Sequence, residues 1–98
     1  MENIERGGYI RMTRVFVMRY NKGKLPPSTI TEEMKKEITE KMSEFLKDNP
    51  DVKFNGLWVN KEGIGICDWE APDAETVRKA VEAVGSPYDE VIEVEKIL

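Results

Sequence analysis

The side chains able to do chemistry concentrate in one stretch, Ile64-Gly65-Ile66-Cys67-Asp68-Trp69-Glu70-Ala71-Pro72. It holds the only cysteine, one of two tryptophans and two acidic residues separated by a single position. A thiol nucleophile or soft-metal ligand works as the thiolate, which a neighbouring base or a helix N-terminus normally provides. The sequence contains no histidine, so the commonest base, metal ligand and pH switch is missing. Cys67 would have to rely on a helix beginning near Asp73, and packing as a small buried hydrophobe is its stronger reading. Asp68 and Glu70 alternate with Trp69 on an extended segment and can share a face. Such a pair suits a hard cation or divided acid and base roles, or simply a solvated strand end that pairs with lysine. Cys67, Asp68 and Glu70 therefore form the candidate metal set, with two Cys67 thiols meeting in a dimer as the soft-metal variant. Tyr20, Trp58, Cys67 and Trp69 form the candidate ligand-binding set. With Phe54 they could line a pocket between sheet and helices, where Gly65 would admit a ligand close to the backbone. Aromatic core packing is the competing reading.

The elements that would position these residues follow from periodicity and punctuation. Val15 to Tyr20 reads as a strand with Val15 and Val17 on one face and Phe16, Met18 and Tyr20 on the other. Both faces are apolar, so both are expected to be covered. Arg14 and Arg19 are expected to pair with acidic residues on a neighbouring strand, where one or the other could meet Glu93 or Glu95. Thr29 and Glu32 fit a capping box for a helix with a stripe of Ile30, Met34, Ile38, Met42, Phe45 and Leu46, ended by Asn49-Pro50. Val52 to Asn60 and Ile64 to Trp69 read as strands joined by a hairpin turn at Asn60 to Gly63. Phe54 and Trp58 should share one face of the former and Leu57 and Val59 the other, with Gly56 as a candidate bulge. Asp73 is the expected N-cap of a second helix with core residues Ala74, Val77, Ala80, Val81 and Val84, stopped by Gly85. A last strand is expected from Glu90 to Ile97. Right-handed crossovers turn this β-α-β-β-α-β order into a ferredoxin-like α+β sandwich, a four-stranded antiparallel sheet with two helices on one face. The uncovered face is the natural surface for a homodimer or higher homo-oligomer.

Ninety-eight residues, 40% apolar and 35% charged, suit one soluble domain at residues 13–98 preceded by a flexible leader at 1–12. The apolar runs are too short for a membrane span. A lone cysteine suits a reducing cytoplasm. The net charge of −4 is uneven, since residues 1–24 carry six basic and two acidic side chains. That basic segment is more simply used in strand pairing than on nucleic acid, and neither nucleic acid nor membrane is expected as a partner. No phosphate-binding glycine loop, cysteine pair or nucleophile elbow occurs, and the residues name no cofactor.

The run from Gly65 to Asp73, the helix after it, Gly85, Pro87, Asp89 and Val91-Ile92-Glu93-Val94 resembles a family catalogued as a domain of unknown function, nickel-binding-protein-like. Its members are small ferredoxin-like proteins, some of which bind nickel. Val17-Met18-Arg19-Tyr20 is similar to that family's first strand. The resemblance implies a dimeric ferredoxin-like domain that binds a metal or a small ligand. It carries no histidine-based nickel site to this chain, and Arg19 stands where an acidic residue is expected. The leading reading is thus a non-enzymatic cytoplasmic binding module for a small molecule or metal ion, dimeric through its sheet face. The alternatives are a small cofactor-free oxygenase- or isomerase-like enzyme using Tyr20, Cys67, Asp68 and Trp58, or a structural or regulatory oligomerisation domain.

Overall fold

A computed structural model describes residues 12–98, so the expected leader lies outside the described residues except for Met12. Strand β1 spans Thr13–Arg19, helix α1 Glu32–Asp48, β2 Lys53–Val59, β3 Gly65–Ala71, α2 Ala74–Ala83 and β4 Glu90–Val94, with a 3-10 turn at Pro27–Thr29. The sheet order is β2-β3-β1-β4 and every neighbouring pair is antiparallel. This is the ferredoxin-like α+β arrangement.

The alternation of β1 sorts its residues between two environments. Val15 and Val17 are fully buried and join Cys67, Trp69 and Ala71 of β3 under Val77, Ala80 and Val81 of α2. Phe16 and Met18 point to the opposite, open face, opposite Asp68 and Ile66 of β3. Arg19 follows the parity of the two valines and is only 2% exposed. Arg14 does pair with acidic residues of a neighbouring strand, but neither arginine meets Glu93 or Glu95 on β4. Arg14 reaches β3 instead, 3.4 Å from Asp68 and 3.6 Å from Glu70, while Arg19 enters the interior. Glu93 turns to α2, where its carboxylate accepts from the Ala74 N–H at 3.0 Å.

The two helices are held unequally. Asp73 caps α2, accepting from the Thr76 N–H at 2.9 Å, and Gly85 closes the helix at φ 72°, a conformation glycine adopts without a Cβ penalty. For α1 the expected capping box is displaced. Thr29 lies in the 3-10 turn, and Thr31 is the N-cap that accepts from Met34 N–H. Pro26 and Pro27 favour the short turn, which uses up Thr29 before the helix begins. No residue of α1 is fully buried, although Met42, Phe45 and Leu46 pack against the core. The last strand ends at Val94 rather than Ile97, because Ile97 and Leu98 find no apolar surface and stand exposed.

Between β1 and α1 the chain is pinned by one side chain. The Asp89 carboxylate accepts from the N–H groups of Tyr20, Asn21, Lys22 and Gly23 at 2.7 to 3.1 Å. Partial desolvation pushes this carboxyl up, but the four donors outweigh it and hold it at about 2. An unfolded aspartate titrates near 3.9. The charged form is therefore favoured in the folded state, and its stabilisation is complete above about pH 5 and lost as pH falls from about 4 towards 2. Thermal melts of wild type and Asp89→Asn across that range should show wild type more stable near neutrality and the gap closing on acidification. A gap independent of pH would contradict the arrangement.

Candidate ligand-binding site

A pocket of about 420 Å³ lies between α1 and the helix-covered face of the sheet. The sheet contributes Arg19, Phe54, Leu57, Cys67 and Trp69, and α1 contributes Met34, Ile38 and Met42. The methionine stripe of α1 thus divides, with Met42 serving both core and pocket and Met34 serving the pocket. Phe54 and Trp69 pack with ring centroids 4.9 Å apart at 60°, a tilted geometry that suits their quadrupoles.

Polar groups in this lining are few and short of partners. Arg19 Nη2 donates to Cys67 Sγ at 3.3 Å. Its Nε and Nη1, and the Nε1 of the 1% exposed Trp69, have no hydrogen-bond partner among the described residues. Buried donors are satisfied in the large majority of native sites, and an uncompensated buried charge costs several kcal/mol. Among the described residues no carboxylate lines the pocket to offset the guanidinium.

The expected ligand set divides between two faces. Cys67 and Trp69 line the pocket. Tyr20 is 46% exposed beyond the end of β1, and Trp58 is 57% exposed on the open face. The reason for Trp58 is the bulge, which shifts the register between Phe54 and Gly56. One extra residue inverts the side-chain parity of a strand. Phe54 therefore shares the pocket face with Leu57, and Trp58 is turned away with Ile66. Gly65 does not admit a ligand to the backbone either, because the space a Cβ would take is filled by the Trp58 carbonyl and Val59 of β2. Partial desolvation and then the Glu90 carboxylate push the Tyr20 phenol up.

The expected metal set is also split. Cys67 points into the interior, while Asp68 and Glu70 cannot follow it, since consecutive strand residues face opposite ways. The two carboxylates lie on the open face beside Arg14, and Asn55 Nδ2 donates to them at 3.3 and 3.0 Å. Among the described residues no group of three or more histidine, cysteine, aspartate and glutamate side chains is placed to hold a metal ion.

Fold and pocket together define a small ferredoxin-like α+β domain with an apolar interior site. The family described as nickel responsive protein SCO4226-like matches residues 20–94, and the chain belongs to it. The crystal structure of SCO4226 from Streptomyces coelicolor A3(2) superposes with a TM-score of 0.63 at 22% identity, covering 87% of this chain and 99% of that one. That likeness concerns the fold. No curated protein matches the chain. The donors present do not fit a nickel centre, because histidine is absent, the acidic pair is already engaged by Arg14 and Asn55, and Cys67 sits beside a guanidinium that repels a cation.

Three residues of consequence are hard to read from the sequence. Arg19 shares the parity of Val15 and Val17, which is a signal, but charged residues are seldom fully buried without a partner. Asn55 gains its role only through the bulge. Asp89 precedes β4 and shows no local pattern, since its four donors come from residues 20 to 23.

Proposed function

We propose that this protein is a binding module that takes a small organic molecule in the pocket beneath α1 and pairs with a second copy through its open sheet face. The observation that carries the first half is the pocket itself, whose volume falls in the range of small-molecule sites and whose walls are mainly apolar with a few polar groups. Metal binding, which the family description suggests, has no matching donor set among the described residues. The enzyme reading needs a base or nucleophile beside the ligand, and Cys67 is the one residue of its expected set that lines the pocket. For the second half, Trp58, Ile66, Met18, Phe16 and Ile92 form an apolar row across all four strands. Arg14, Asp68 and Glu70 flank it with charges of both signs, which suits a self-complementary two-fold contact. The buried, unpaired thiol accords with a reducing compartment, and we assign the protein to the cytoplasm on that ground.

Titration with N-phenyl-1-naphthylamine, a neutral apolar dye that fluoresces on leaving water, tests the pocket. Saturable binding of one dye per chain is expected. Thr39→Trp, which places a bulky ring on the pocket-lining side of α1 at an exposed position, should abolish it. No saturable signal, or an unchanged one in Thr39→Trp, would overturn the reading.

A further inference from the structure

We infer that the molecule taken by the pocket is a small organic anion, a carboxylate or comparable acid head on an apolar body, with Arg19 as its counter-ion. This rests on the pocket being a binding site, and it names the chemistry that site selects. Arg19 is 2% exposed and lines the pocket. A guanidinium carries its charge at any physiological pH and presents five N–H donors. One on Nε and two on Nη1 lack an acceptor among the described residues, and the Trp69 indole N–H in the same lining lacks one too. Unused donors and an absence of lining acids call for a ligand rich in acceptors and negative in charge. A neutral ligand would leave the charge uncompensated, and a cation would add repulsion.

The strand register also orients the guest. On the pocket face β3 presents Gly65, Cys67 and Trp69 in succession, and Arg19 lies opposite Gly65 while Phe54 lies opposite Trp69. Arg19, the one fully buried charge among the described residues, therefore stands at one end of the site and the paired aromatic rings towards the other. Met34, Ile38 and Met42 run along the facing side of α1. An acid head at Arg19 leaves an aliphatic or aromatic body to lie along this apolar stripe. Lys35 lines the same pocket but is shared with Glu32 at 3.2 Å, so the buried guanidinium is the discriminating charge.

Three ligands with one body decide the matter. Octanoate, 1-octanol and octyltrimethylammonium are used to displace N-phenyl-1-naphthylamine from the full chain near neutral pH. Charge-assisted hydrogen bonds to a desolvated head should let octanoate act at about ten- to a hundredfold lower concentration than octanol, with the ammonium weakest. Arg19→Met should bring octanoate down to the level of octanol, and Arg19→Lys should retain part of the preference. Methionine replaces a buried unpaired charge with an apolar side chain, so this variant should melt no lower than wild type. Octanoate and octanol acting within twofold of each other on wild type would overturn the inference while leaving the pocket as a binding site. A preference surviving intact in folded Arg19→Met would do the same. Failure of the dye itself to bind would remove the pocket reading and this inference with it.

Discussion

Val15→Asp is expected to yield no folded protein, whereas Phe16→Lys, one position along, is expected to fold and to turn the proposed dimer into monomers. The decisive difference is the face of β1 that each side chain occupies. Val15 has no exposure and packs in the core formed by β3 and α2. A short carboxylate there cannot reach water and must be buried without a partner or neutralised, at a cost of several kcal/mol. A domain of this size has about 5–15 kcal/mol in total. Phe16 lies half-buried on the open face opposite Asp68. Lysine at that position keeps the β-strand, gains an acidic neighbour and places a charge in the apolar row proposed to meet the second copy. Circular dichroism and sedimentation of both variants beside wild type check the pair. A native melt for Val15→Asp would contradict the assigned parity, and a wild type that sediments as a monomer would end the dimer proposal.

Trp69→Ala should cost about 3–5 kcal/mol in urea unfolding, the usual penalty for emptying an aromatic core site. Trp69 is the largest fully buried side chain and supports Phe54 through their tilted contact, which adds about 0.5–1.5 kcal/mol beyond the area it buries. Trp69→Phe separates volume from hydrogen bonding. It keeps a ring against Phe54 and removes the partnerless indole N–H, so its loss should be well below that of alanine. A loss below about 1 kcal/mol for alanine would mean that the ring contributes little to the core.

Much of the architecture was legible because it depends on local signals. The alternation of Val15, Phe16, Val17 and Met18 revealed a strand with two apolar faces, and Asp73 and Gly85 marked both ends of α2. Strand order followed from the sequence of elements and the hand of their crossovers. Where the reading failed, a non-local contact had decided the outcome. Gly56 drew attention as a bulge, but its effect on Phe54 and Trp58 depends on how β2 is registered against β3. The same limit applies to the candidate site. Cys67 and Trp69 lie on a strand of clear parity and both line the pocket, while Asp68 and Glu70 are close to Cys67 only in sequence, a proximity that the pleat undoes. Arg19 carried the right parity, but its charge masked it.

The unequal anchoring of the pocket's walls bears on how a guest enters. On the sheet side the loop after β1 is tied to Asp89 by four hydrogen bonds, and the Leu25 N–H donates to the Gly63 carbonyl of the hairpin at 3.1 Å. That loop, which gives Leu25 to the lining, is braced at two points. The facing wall is α1, a helix without one fully buried residue, and segments with little buried apolar contact open at the lowest free energy in a fold. The proposed site thus has a fixed jamb and a more loosely hung door, and the route expected for a guest of Arg19 displaces the helix rather than the loop.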